Sequence, residues 1–327
     1  MDAEAARALI HSPASLERVG RDPQALRRAV RQGELRRLHR GRYVRADDWS
    51  AMRPEDQHLL EVLAVEPARR GGDVVASHES AAVLHGLPLY RRRPRGVHVS
   101  GPRTRGVVSA PGLVLRHEVE VARVDRTQVG GIPCTTLQRT VYDLIRTTPR
   151  ETAVAAADAA LRLVAWSEAE RSYSLIVAEQ WRQELLARIA RSSGRRGIRQ
   201  ARWVAAFADG RAHLPGESVS RLYLDDLGFA APRLQVPFEG PGGRRYEIDF
   251  GLDDVDAWGE FDGEGKYFDP TMLRGQTSRE VFIREKERED WIRGRSRRSF
   301  VRWGSPHITS AEALRRRLAD FHIAPRR

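Results

Sequence analysis

Residues 246–268 read YEIDFGLDDVDAWGEFDGEGKYF. Apolar residues alternate with polar ones on both sides of the acidic stretch LDDVDA, residues 252–257. A period of two predicts two strands joined by a tight turn. Tyr246, Ile248 and Phe250 are expected on one side of the first strand, with Glu247 and Asp249 on the other. Trp258, Glu260 and Asp262 are expected to share one face of the second strand, opposite Ala257, Gly259 and Phe261. Gathering Asp249, Glu260 and Asp262 sets like charges against one another, which is costly unless a counter-ion lies between them. Carboxylate oxygens are hard donors, so the ion they suit best is Mg2+, or Mn2+ in its place.

The flanking sequence adds two elements. GESVSRLYLDDLGF, residues 216–229, predicts a helix that opens at Glu217, turns Val219, Leu222, Tyr223 and Leu227 inward, and stops at Gly228. A strand is expected from Gln235 to Phe238, followed by the turn GPGG at 240–243. The order is then a helix bearing Glu217, a strand bearing Asp249, and a strand bearing Glu260 and Asp262. Of 56 basic side chains, two are lysine: Lys266, four residues past Asp262, and Lys286, on the helical segment VFIREKEREDWIR. Lysine is a compact charge with a tunable pKa. Both are therefore candidates to steady a phosphate or orient an attacking water. Asp253, Asp254 and Asp256 are expected to be solvated turn residues, and Trp258, Trp291 and Trp303 to be core.

GESVSRLYLDDLGF, YEIDF, WGEFDGEGKYF, VFIREKERED and FVRW together resemble the PD-(D/E)XK nuclease superfamily, and more closely its Vsr-like endonuclease-related domains, over about residues 214–305. The resemblance implies a restriction-endonuclease-like α/β domain with a central mixed sheet. It also implies a Mg2+-dependent DNA endonuclease in which Glu217, Asp249 and Glu260 hold the metal. Asp262 stands where the superfamily places lysine, giving E-x-D. It joins the candidate ligands and leaves the lysine role to Lys266 or Lys286.

Nearer the start, DPQALRRAVRQGELRRLHRGRYVR, residues 22–45, has a net charge of +6. Asp22 is placed to cap a helix with Pro23 at its first position, and Gly33 to end it. Leu35, Leu38, Gly41, Tyr43 and Val44 follow as a short hairpin. With helical segments expected in residues 2–19, this is a winged helix-turn-helix pattern. Arg27, Arg28, Arg31, Arg36, Arg37, Arg40 and Arg42 are its candidate DNA-phosphate contacts. The segment resembles the N-terminal winged helix of AbiEi-type antitoxins. The middle region resembles the remainder of those proteins, through ASHESAAVLHGL and PCTTLQRTVYDLI. The resemblance implies DNA binding and a toxin protein as a second partner.

In that middle region helices are expected at 54–67 and 76–89, strands in RRRPRGVHVS and GLVLRHEVEV, and a strand, turn and two helices from Gly131 onward. His78 and His85 lie seven apart on one helical face; two histidines alone do not make a metal site, and packing roles are expected for them.

The chain has 327 residues and a net charge of +12, which suits a polyanionic partner. The one cysteine, Cys134, excludes an internal disulfide framework and reads as buried filler. No apolar run approaches the roughly 20 residues of a membrane span, and MDAEAARALIHSP lacks a signal-peptide core, so a cytoplasmic location is expected. The expected architecture is multidomain α+β and α/β: a winged helix at 1–50, a middle α+β domain at 51–190, a linker at 191–210 and a nuclease-like domain at 211–327. Monomer and homodimer both fit this reading. Two functions stand open: metal-dependent DNA cleavage, or an antitoxin and autorepressor whose last domain is catalytically silent; charge alone leaves RNA open beside DNA as the substrate.

Overall fold

The computed structural model describes residues 1–65, 74–102, 114–263 and 278–326, with 278–282 described by their backbone alone. The fold is mixed α+β. The chain divides into two compact units, one of Met1–Ala156 with Arg182–Ala206, the other of Ala157–Trp181 with Phe207–Arg327.

In the first unit, helices α1 (Ala3–Ala8), α2 (Pro13–Glu17) and α3 (Pro23–Arg31) lead into the antiparallel hairpin β1 (Leu35–His39) and β2 (Arg42–Arg45). Local chemistry sets these limits. The Asp22 carboxylate accepts the Ala25 N–H at 2.7 Å, Pro23 occupies the first turn, and Gly33 leaves the helix at φ +76°. Leu16, Leu26, Ala29 and Leu35 form the small core beneath, with Val30 and Tyr43 packed against it.

α4 (Ala46–Ala51) and α5 (Pro54–Val65) follow, and then a five-stranded sheet. Its strands are β3 (Val75–Ala76), β4 (Val97–Ser100), β5 (Val114–His117), β6 (Arg126–Val129) and β7 (Ile132–Thr135), in the order β5-β4-β3-β7-β6. The β4–β5 and β3–β7 pairs are parallel, and the β3–β4 and β6–β7 pairs antiparallel. α6 (His78–Leu84) springs directly from β3, and α7 (Leu137–Thr147) from β7. Cys134 is fully buried. α8 (Arg150–Ala165) and α9 (Leu175–Ala190) each contribute residues to both units, and α10 (Ile198–Phe207) comes next. The expected linker therefore carries a helix: Ile198, Ala201, Val204 and Ala205 recur at helical spacing and are buried. The loop before α10 is fastened by the Arg146 guanidinium, which donates to the Arg196 carbonyl.

The second unit contains α11 (Pro215–Asp226), the antiparallel meander β10 (Arg233–Glu239), β11 (Arg245–Leu252) and β12 (Ala257–Asp262), a long helix Ser278–Arg295, and β13 (Ser299–Gly304) parallel to β12. The last helix is Ala311–Ala319. β8 (Trp166–Ser167) and β9 (Ser172–Tyr173) form a small hairpin in the same unit. Val236, Ile248, Trp258, Ile292 and Phe300 form one cluster of the core. Phe250 stacks on Trp303 at 5.3 Å between centroids, and the Trp303 indole donates to Ser220 Oγ at 2.8 Å. Gly259 lies directly against the Trp303 ring and Gly216 against Phe261, positions where a Cβ would collide.

Ile248 and Phe250 thus join different packing groups, whereas strict alternation would have placed them together. The ladder explains it. Leu234 pairs with Phe250 and Val236 with Ile248, while Gln235 and Asp249 between them drop out of regular pairing. Gln235 is left-handed, at φ +48°, and the β11–β12 register stops at Phe250↔Gly259. A local break of this kind shifts which side chains face which way. Of the turn acids, Asp253 and Asp256 are exposed as expected and Asp254 is half-buried; Asp253 also pairs with Arg233 and Arg298, and Asp254 accepts the Ala230 N–H at 3.0 Å. Paired with two guanidinium groups, the Asp253 carboxyl is held down at about 2. Trp258 and Trp303 are buried, whereas Trp291 is half-buried and donates to the Glu239 carbonyl at 2.9 Å.

Among the described residues, no helix is long and apolar enough to cross a membrane.

Candidate functional site

Each of the four predicted acids is placed by a different local device. Glu217 sits in the first turn of α11 and is 3 % exposed. Its Oε2 accepts the His213 N–H at 2.9 Å and the Gln235 side-chain amide at 3.0 Å. Asp249 lies at the ladder break. Its Oδ2 accepts the Phe261 N–H at 2.9 Å, substituting a carboxylate for a strand partner, and its Oδ1 faces the same Gln235 amide at 3.3 Å. Gln235 therefore joins the helix acid to the strand acid.

Glu260 is 5 % exposed on β12, and Arg288 of the long helix reaches it at 2.5 Å. Burial pushes its carboxyl up; Arg288 opposes that shift and the neighbouring Asp249 charge adds to it. Arg302, which pairs with Glu260 across the β12–β13 ladder, lies among four acids: Glu289 at 3.2 Å, Glu285 at 3.5 Å, Asp262 at 3.7 Å and Glu260 at 3.9 Å. Asp262 Oδ1 is buried without a hydrogen-bond partner among the described residues.

The acids thus form two linked neighbourhoods: Glu217, Gln235 and Asp249, and beside them Glu260 and Asp262 with Arg288 and Arg302. Among the described residues, no three carboxylates have ligand oxygens all within 4.8 Å of one another. The Gln235 amide and the Arg288 and Arg302 guanidinium groups supply the counter-dipole and counter-charge. Lys286 is exposed on the long helix. Lys266 lies outside the described residues.

The donor set still suits a hard cation. It is all oxygen, it is partly desolvated, and the orphaned Asp262 oxygen is the kind of buried acceptor a ligand satisfies. Asp249, Glu260, Glu217 and Asp262 are the residues that would hold it.

Gln235, Arg288 and Arg302 were not singled out from the sequence. Gln235 carries no sequence mark beyond its place in a strand, since its role depends on a backbone twist. Arg288 and Arg302 are two arginines in a chain full of them.

The nucleic-acid candidates sit on α3 and the hairpin. Arg27, Arg28, Arg31, Arg36, Arg37 and Arg40 are exposed, and Arg42 is half-buried, donating to the Gly41 carbonyl. Arg36 lies over the Trp49 ring at 4.4 Å.

No family model matches the chain. Two proteins of Mycobacterium tuberculosis, "Uncharacterized protein MT2308" of strain CDC 1551 / Oshkosh and "Uncharacterized protein Rv2248" of strain H37Rv, are each 32 % identical to it over 249 residues. The match covers 76 % of this chain and 81 % of each relative. The chain belongs to the family of these two uncharacterized mycobacterial proteins.

Proposed function

We propose that the protein binds duplex DNA through α3 and the β1–β2 hairpin and that its second unit is a nuclease-like domain acting on phosphodiester bonds with a divalent cation. The observation that carries this reading is the Gln235 amide, which joins Glu217 of the helix to Asp249 of the strand at a break in the sheet, with Glu260 of the next strand near enough for the Asp249 charge to raise its carboxyl. The element order supports it as well. A helix, a three-stranded meander, a helix and a fourth strand parallel to the third make a mixed sheet, the kind of α/β arrangement that the PD-(D/E)XK resemblance implies. The exposed arginines on one helix and hairpin support the AbiEi-like reading of the start of the chain.

A bound Mg2+ or Mn2+ would supply Lewis acidity and a more acidic water. Asp249, with one oxygen on the Phe261 N–H, is oriented by the backbone. Glu217 is oriented by the His213 N–H and Gln235. On this reading Arg288 and Arg302, now paired with the site's acids, would turn to anionic phosphate oxygens once a cation is bound, the part that an E-x-D motif leaves without its lysine.

A second reading is favoured by one observation: the arginine pairing of Glu260 neutralises the site without an ion. On that reading the second unit is a silent scaffold and the protein is a DNA-binding regulator of the antitoxin kind.

A plasmid-nicking assay with Mg2+ and Mn2+ separates the two. The cleavage reading requires nicking that EDTA stops and that Asp249→Ala and Glu260→Ala abolish. Tight, salt-sensitive DNA binding without nicking by the wild type establishes the silent scaffold instead.

A further inference from the structure

We propose that His78, His98 and His117 of the first unit form a binding site for a borderline divalent transition metal of the zinc type, separate from the acidic site and independent of the nuclease reading.

The geometry comes from three elements. β4 carries His98, the neighbouring parallel strand β5 carries His117, and α6 begins at His78 immediately beyond β3. One ring nitrogen from each lies within 4.8 Å of the other two. His98 Nδ1 is 3.0 Å from His117 Nε2, and the His78 ring stacks on the His117 ring at 3.8 Å. His78 is held there at the cost of a left-handed backbone, φ +49°. A non-glycine residue in that region is strained, and such strain collects at functional sites.

The surrounding groups suit ligands. Glu79 is buried and places Oε2 3.0 Å from His98 Nε2. A carboxylate only accepts, so the His98 proton sits on Nε2 and the Nδ1 lone pair faces the other two rings. This carboxylate–histidine pairing is the outer-shell arrangement that orients metal-binding imidazoles. Arg92 pairs with the same Glu79. Ser77 Oγ, which accepts a hydrogen bond from Ser100 Oγ at 2.8 Å, lies 3.1 Å from His78 Nδ1. Arg139, the nearby cation on α7, is already held by Asp125 and Asp143.

Metals bind neutral imidazole, and burial holds all three rings in that form: His78 is pushed down to about 2, His98 and His117 to about 4. Three imidazole nitrogens suit Zn2+, Co2+ or Ni2+ and are poor ligands for Mg2+. Stacked rings carry their in-plane lone pairs side by side, so metal binding must tilt His78 off His117. A three-histidine set leaves one tetrahedral position for water or another small ligand.

The test uses the full chain, stripped with EDTA and titrated with Zn2+ against a chromogenic chelator, then with Co2+ read by its visible absorption. The expected result is one equivalent bound, with the intense spectrum of tetrahedral Co2+. His98→Ala and His117→Ala should each weaken Zn2+ binding at least about 100-fold, and Glu79→Gln about 10- to 100-fold. Asp249→Ala should leave the equivalent intact, which separates this site from the acidic one. If His98→Ala does not fold by circular dichroism, His117→Gln on the half-buried edge strand β5 decides the matter. Absence of a stoichiometric Zn2+ site in the folded wild type, or equal affinity in the folded histidine variants, overturns the proposal.

Discussion

Arg288 Nη2 lies 2.5 Å from Glu260 Oε1, joining the long helix to the strand that carries the E-x-D motif. Glu260 is 5 % exposed. Removing its partner leaves a buried charge with the more distant Arg302 at 3.9 Å, so Arg288→Ala is expected to cost about 3 kcal/mol. Urea unfolding measures this. Combining Arg288→Met with Glu260→Leu should recover most of the loss, because the uncompensated charge goes with its partner. If the double variant is as unstable as the single, the pair is not what holds the helix there.

Gln235 is strained and its amide serves two acids. Gln235→Gly and Gln235→Ala both delete the amide, but glycine accepts φ +48° freely. The glycine variant should therefore be more stable than the alanine variant by about 1 kcal/mol. Equal midpoints in urea would show that the left-handed backbone carries no strain. Gln235→Glu should destabilise more than either, by setting a third carboxylate against Glu217 and Asp249, and added Mg2+ should relieve part of that loss.

A buried pair supports the same unit from below. Both oxygens of Asp158 lie 2.9 Å from Arg221 Nη2, Asp158 Oδ1 also accepts the Asp209 N–H at 2.8 Å, and Asp158 is fully buried. Arg221 further donates to the Phe207 carbonyl at 2.7 Å and lies over the Phe207 ring. Arg221→Met is expected to cost about 3–5 kcal/mol. An unfolding midpoint within experimental error of the wild type would contradict this.

The histidine cluster predicts acid sensitivity. In the unfolded chain these imidazoles take up protons below about 6.5, whereas in the fold His78 stays neutral to about 2 and His98 and His117 to about 4. Between pH 6.5 and 4 the unfolded state therefore binds more protons, and stability falls as the pH falls. The slope is at most about 1.4 kcal/mol per pH unit for each of the three residues. Urea midpoints at pH 7 and pH 5 measure it; His98→Gln should flatten the profile, and saturating Zn2+ should steepen it, because protons compete for the ligands.

DNA binding through α3 should be strongly salt-dependent. Replacing Arg27, Arg28 and Arg31 with alanine should lower the slope of log affinity against log salt by about 0.9 for each phosphate no longer neutralised. Fluorescence anisotropy with a duplex probe across a salt series reads this directly. An unchanged slope would move the interface away from α3.

Much of the chain was legible because its signals are local. Asp22, Pro23 and Gly33 bound α3, and Gly228, at φ +88°, follows α11, all within a few residues of the features they control. The acids of the second unit were legible for the same reason, since a period of two shows which residues share a strand face. What escaped was decided by pairings between residues far apart in sequence. Periodicity could not show that Gln235 and Asp249 leave the ladder together, so simple alternation puts Ile248 and Phe250 on a par. Nor could spacing join His78 to His98 and His117, because that meeting depends on β4 pairing in parallel with β5 and on a strained residue at the start of α6.

The sequence by itself determined the elements, the charge they carry and the candidate acids, because hydrophobic period, capping and turn chemistry act over a few residues. Only the tertiary structure decided which side chains neutralise one another. Arg288 and Arg302 beside Glu260, Gln235 between two carboxylates and three imidazoles within reach of one another are all set by strand register and helix placement. Those follow from how the whole core packs, and no short segment encodes that packing alone.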